Sequence, residues 1–222
     1  MEALLFERDT IFAAFWMTIR LTAVSALGSL VLGTLLTAMR VAPLASLRGA
    51  ANCYVTVMRN TPLTLVLMFT GLGIGAQLGV ELSDDIATNN FWLAVIGLTA
   101  YTSAFVCEAL RSGLNTVPVG QAEAARSLGL GFTKTLGLIT LPQAFRAVVA
   151  PLGSIMIALT KNTTIALVVG VGEASVRMRE MIETYGDQVL EIFLGFAAGF
   201  VILCLPMGLL FGWLSRRMAV AR

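Results

Sequence analysis

The sequence has no histidine at all, only three cysteines, and only 13% charged residues in 222. Each shortage removes a class of function. Without histidine there is no imidazole proton relay and no histidine-ligated metal. Cys53, Cys107 and Cys204 are widely spaced and lie near or within apolar runs, so they read as small core residues and not as a zinc site or disulfide framework. The chain also lacks a Walker lysine motif, and its one glycine run, Gly71 to Gly75 (GLGIG), has no strand before it. That run is read as close helix packing, so any nucleotide is bound by another polypeptide. No cluster of cysteines or carboxylates suits a membrane-bound enzyme.

What fills the sequence is hydrophobic residue, 57% of the chain, at a mean hydropathy of +0.86. Soluble domains carry about 25% charge, so the expected solvent is a bilayer. Uncharged runs cover 21–39, 60–80, 86–107 and 192–215, and a fifth, 147–172, is interrupted only by Lys161. Each is near the roughly 20 residues that an apolar helix needs to cross the hydrocarbon. The expectation is an all-α membrane protein, a single domain over 1–222, with five transmembrane helices at about 12–39, 55–80, 88–110, 144–172 and 191–215. Glu2, Glu7 and Asp9 stand where a secretory signal would be basic, so the first apolar segment reads as a span.

Charge is unevenly shared among the connections. Segments 40–59, 108–146 and 216–222 hold ten basic residues and two acidic ones, whereas 1–20, 81–85 and 173–191 hold four basic and eleven acidic. Basic loops stay in the cytoplasm, which predicts an outer amino terminus and a cytoplasmic carboxyl terminus. Arg20 is then at the outer interface, its stem along the helix. A net charge of +2 gives no reason to expect a nucleic-acid partner.

The connection 115–142 is long for a passive loop. Asn115 or Thr116 can cap a helix with Pro118 in its first turn, Gln121 to Leu128 are good helix formers, and Gly129 ends it; a second short helix, Phe132 to Ile139, precedes Leu141-Pro142. Two short helices across the inner face offer a knob to a soluble partner. An amphipathic pair lying on lipid is the alternative, but Ala124 and Ala125 are too small to anchor there.

Glu123-Ala124-Ala125, Gly129 separated from Ile139 by nine residues, and Ile139-x-Leu141-Pro142 reproduce the "EAA" loop of ABC importer membrane subunits. With "FVCEALRSGLNTVPVGQAEAARSLGLG", "LPQAF", "RNTPL" and "LTKNTTIA", the chain resembles the polar amino acid uptake branch, and in particular the permease subunits of actinobacterial glutamate importers. That resemblance implies a type I ABC importer permease fold in the bacterial plasma membrane. It also implies ATPase subunits that bind ATP and Mg, a second permease, and an extracellular substrate-binding protein. A related chain is favoured as second permease, with a homodimer left open. Glu123, Ala124, Ala125 and Gly129 would be the ATPase-coupling residues on a cytoplasmic coupling helix. No cofactor is expected in this chain.

Lys161 sits within an apolar run, where an unpaired ammonium costs at least about 2.5–3.5 kcal/mol. Asn162-Thr163-Thr164 beside it can loosen the helix and offer polar groups, the pattern of a discontinuous helix around a polar ligand. An amino acid needs acceptors for its ammonium and donors for its carboxylate. Lys161, Asn162 and Thr163 are therefore expected along a substrate path, with Glu108 and Arg59 nearer an inner gate. Two bland readings compete: Lys161 paired internally with Glu108 or backbone carbonyls, and Arg59 as an interfacial cation. A channel or secondary carrier is the rival function, but it predicts an intramembrane acidic or histidine relay and no use for the 115–142 loop.

Overall fold

The computed structural model describes residues 2–218, with the side chain of residue 2 left aside. Among these residues every regular element is helical. In chain order they are α1 (Glu2–Phe6), α2 (Arg8–Val41), α3 (Ala45–Asn60), α4 (Leu63–Met68), α5 (Ile86–Leu114), α6 (Val119–Ser127), α7 (Phe132–Thr135), α8 (Leu141–Ala147), α9 (Val149–Asn162), α10 (Ala174–Thr184) and α11 (Val189–Met218). α4 runs on into a wide i→i+5 helix over Phe69–Gln77, α7 into another over Leu136–Thr140, and α9 into a tight 3₁₀ helix over Thr163–Val169.

Helices α2, α5, α9 with its 3₁₀ extension, and α11 are each long and apolar enough to cross a membrane, and α3 with α4 and its wide extension to Gln77 forms a fifth span if the pair is counted as one. Proline explains why two of the sequence runs are not continuous helices. Pro62, at φ −58° and ψ 135°, is extended and caps α4, and its ring disfavours helical backbone at Thr61. In place of one continuous helix over 55–80, the chain forms α3, which begins at Ala45, and α4 with its wide extension, separated at Thr61-Pro62. Pro151 cannot donate to the carbonyl of Ala147, and the chain breaks at Val148, with φ −113° and ψ 14°, before α9 starts. Pro206, by contrast, lies inside α11.

Two compact units make up the chain, each assembled from three separate stretches. The first comprises Met1–Leu27, Thr61–Thr99 and Met156–Pro206. Its core gathers Ala3, Ala174, Met181, Ile192 and Phe196. Phe15 stacks on Phe196 at 5.6 Å and meets Phe200 edge-on at 5.5 Å, geometries that add stabilisation beyond area burial. The glycine run packs as expected: a Cβ on Gly71 would come within 3.1 Å of Val169, and one on Gly75 within 2.8 Å of Leu93. Arg20 lies over the ring of Phe91 at 5.2 Å, a cation–π contact that accommodates a charge on the side of α2.

The second unit comprises Gly28–Asn60, Ala100–Ile155 and Met207–Arg222. Leu36, Ala51, Val55, Ala104 and Cys107 form its core. Gly33 lets α2 approach α5 so closely that a Cβ there would fall 2.6 Å from Val106. Cys107 fits the expected role of a small core residue, whereas Cys53 is exposed on α3.

Candidate functional site

The connection between α5 and α8 folds as a capped helix followed by a second one. α6 starts after Pro118, which itself occupies the cap position at φ −58° and ψ 130°; neither Asn115 nor Thr116 serves as cap. Its other end is a Schellman turn. Gly129 takes φ +82°, its N–H donates to the Arg126 carbonyl at 2.9 Å, and the Leu130 N–H donates to the Ala125 carbonyl at 3.1 Å. Positive φ favours glycine, so the residue identity at 129 follows from the turn.

On α6 the three residues of the EAA stretch do not share one surface. Ala125 is turned into the second unit, only 2% exposed, while Glu123 and Ala124 are exposed. The loop is tied at its far side by Gln143 on α8, which donates to the Gln121 side chain and, at 2.9 Å, to the Ile139 carbonyl. A cavity of about 540 Å3 lies behind α6, lined by residues from the ends of α2 and α5 and from the 122–140 stretch.

Glu108 and Arg59 are brought together in the same unit, and with them a residue the sequence reading did not single out. The Glu108 carboxylate accepts from Arg40, and the same oxygen, Oε1, lies 3.4 Å from Nη1 of Arg59. Nε of Arg40 also donates to Asn52 at 2.7 Å. Arg40 is the buried member, its side chain 9% exposed against 47% for Arg59 and 30% for Glu108. One carboxylate therefore joins the ends of α2 and α3 to α5 and faces two guanidiniums. Arg40 was hidden in the sequence because it sits where the first apolar run ends, the ordinary place for an interfacial cation; its pairing across 68 residues is a tertiary fact.

Lys161, Asn162 and Thr163 belong to the first unit, at the point where α9 gives way to the 3₁₀ helix. Thr163 is buried and donates to the Thr160 carbonyl at 2.8 Å; Thr164 donates to the Lys161 carbonyl, also at 2.8 Å. These hydroxyl bonds to carbonyls three residues back accompany the tightening of the helix. Lys161 itself is exposed, and among the described residues no carboxylate pairs with its ammonium.

A second polar cluster, also in the first unit, went unnoticed in the sequence. Glu173 is fully buried and caps α10, accepting from the Ser175 and Val176 backbone N–H groups at 3.0 and 3.2 Å and from the Ser175 hydroxyl. Burial pushes its carboxyl above the usual range, against those hydrogen bonds. Arg177 donates to Glu7 at 2.6 Å, to Glu180 at 2.9 Å and to Thr10 at 3.2 Å. The Thr10 hydroxyl and Arg177 hold the Glu7 carboxyl below its ordinary range.

Residues 29–220 match the family described as binding-protein-dependent transport system inner membrane component. The chain belongs to that family. This inner membrane component is 56% identical over 214 residues to the glutamate transport system permease protein GluC of Corynebacterium efficiens, with 94% of each chain covered. To the probable glutamine ABC transporter permease protein GlnM of Bacillus subtilis it is 30% identical, with 97% of each covered. Among solved structures it is similar to an amino acid ABC transporter crystallised with histidines, at TM-score 0.82 and 25% identity, with 96% of each chain covered. The fold is shared too with the MetNI methionine ABC transporter in inward-facing form, at TM-score 0.75 and 20% identity, over 95% of this chain and 96% of that one. The inner membrane component is thus a multi-pass membrane subunit of a transport system, in line with the resemblance read from the EAA loop.

Proposed function

We propose that the chain is the permease subunit of an ATP-driven importer of polar amino acids, with glutamate as the substrate. The observation that carries glutamate is the 56% identity, over 94% of both chains, to the glutamate permease of Corynebacterium efficiens. In this reading five helices cross the membrane, with the amino terminus outside and the carboxyl terminus in the cytoplasm; the skew of basic residues toward 40–59, 108–146 and 216–222 supports that orientation. ATP and Mg are bound by separate ATPase subunits, substrate arrives from an external binding protein, and a second permease, a related chain by preference, completes the path.

Coupling runs through α6. The exposed Glu123 and Ala124 present a carboxylate and a small side chain to the ATPase, while Ala125 and Gly129 hold the helix in place through packing and the Schellman turn. Closure of the ATPase dimer moves α6, and the spans respond by alternating access. Lys161 and Asn162 line the path at the loosened end of α9, with the buried Thr163 behind them shaping the turn, and the exposed ammonium suits a carboxylate of the substrate. Arg59 and Glu108 serve the inner gate.

The test is reconstitution of the complete transporter in proteoliposomes with ATP enclosed on the ATPase side, followed by uptake of a panel of labelled amino acids. Glutamate uptake that requires both ATP and the binding protein is the expected result. Full-speed uptake without ATP favours the rival channel or secondary carrier, and preference for a basic or neutral amino acid removes glutamate.

A further inference from the structure

The cavity behind α6 has no part in the transport cycle described above, and its walls point to a ligand. About 540 Å3 is the size of a small-molecule site. Val41 and Leu114, the last residues of two helices long and apolar enough to cross a membrane, both line it, so the cavity lies just beyond the ends of the uncharged runs 21–39 and 86–107. The rest of the lining is mostly apolar, with Leu130, Phe132 and Leu136 prominent, and it contains a single charged residue, Arg126.

The cation at the rim is held in place. Nε of Arg126 donates to the carbonyl of Ala122, another lining residue, at 3.3 Å, which leaves its terminal N–H groups for a ligand. A second guanidinium is bonded to the wall from outside it: Arg48 donates to the carbonyls of Ala42 and Pro43 at 2.8 and 2.7 Å, and Pro43 lines the cavity. No carboxylate lines it. An apolar cleft at headgroup level, with arginine at its mouth and no acid in its wall, complements a molecule with a hydrocarbon tail and a negatively charged head.

We propose that this cavity binds one anionic phospholipid, its acyl chain against Leu130, Phe132 and Leu136 and its phosphate on Arg126 and Arg48. The lipid thereby fills the space behind the helix that carries Glu123 and Ala124. This placement needs only that α2 and α5 are membrane spans; it does not depend on the substrate or on which side of the bilayer is the cytoplasm.

The experiment uses the assembled transporter with Phe132→Trp, in vesicles containing lipid brominated on its tail, either phosphatidylglycerol or zwitterionic phosphatidylcholine. The emission added by the new tryptophan should be quenched by phosphatidylglycerol at a roughly fivefold lower mole fraction than by phosphatidylcholine, and Arg126→Gln should erase that preference while Arg8→Gln leaves it. Native mass spectrometry of the complex without the tryptophan provides an independent reading: phosphatidylglycerol should be retained by the unmodified chain and lost with Arg126→Gln. Equal quenching by the two lipids, a preference untouched by Arg126→Gln, or no quenching because a neighbouring subunit fills the cleft would each overturn the proposal.

Discussion

Arg40, at the end of α2, donates to the carboxylate of Glu108 on α5 with only 9% of its side chain exposed, and Arg59 of α3 closes on the same carboxylate oxygen. Removing the acid leaves a buried guanidinium without its counter-charge. Loss of one partner from a fully buried pair costs about 3–5 kcal/mol; with Glu108 at 30% exposure, Glu108→Gln should fall below that range yet still lower the melting temperature of the purified complex. Arg59→Gln, at the exposed side of the triad, should lower it less. Equal melting temperatures for all three proteins would show that the triad holds nothing together.

Gly129 should resist substitution for a backbone reason. A Cβ in the left-handed region costs about 1–2 kcal/mol, so Gly129→Ala should loosen the turn after α6. Faster proteolysis between 128 and 132 and weaker substrate stimulation of ATPase activity are the expected readouts.

Ala124 and Ala125 should separate under the same substitution. Ala125→Asp places a carboxylate in a position 2% exposed and should reduce the amount of folded subunit, because a buried unpaired charge is costly. Ala124→Asp is exposed and should leave the subunit folded and inserted. Membrane abundance, pull-down of the ATPase and coupled ATPase activity together resolve the two; the proposed dock requires that Ala124→Asp change only the last two.

Lys161→Met should abolish uptake while the complex still assembles, since the ammonium is exposed and among the described residues pairs with no carboxylate. Uptake at the normal rate would take Lys161 off the substrate path.

The pH response of α10 follows from Glu173. Its carboxyl is pushed up by burial, so the folded state holds the proton more tightly than the unfolded chain does. That contribution is fully present below the unfolded carboxylate range and is lost as pH rises through the folded value. Hydrogen exchange in α10, corrected for intrinsic rates, should report less protection at neutral pH than at mildly acidic pH, and Glu173→Gln should flatten the difference.

The helical class, the apolar runs and the two-helix loop were legible because hydropathy, glycine and proline act locally. Gly129 could be read as a helix end from its neighbours alone, and Asn162 to Thr164 as a loosening point from their side chains. Pro62 and Pro151 were also visible, but whether each opens a helix or divides a longer one depends on what packs around it. Arg40 and Glu173 were not legible: the first looked like an interfacial cation and the second like one acid among many in an acidic connection. Arg40 finds its partner through helix packing, and no spacing rule links residues 40 and 108; the cap bonds of Glu173 to Ser175 and Val176 are local, and what the sequence hid is its burial.

The shared oxygen of Glu108 has a mechanical consequence. Because the ends of α2 and α3 hang on one acceptor carried by α5, a load applied to any of the three near that point is felt by the others, so they respond as a riveted plate does. α5 continues past the rivet to Leu114, and α6 begins at Val119, so the coupling loop is attached to the riveted end through one stretch of α5 and a turn. A small displacement at the loop is then delivered to several spans together, with little lost to bending between them.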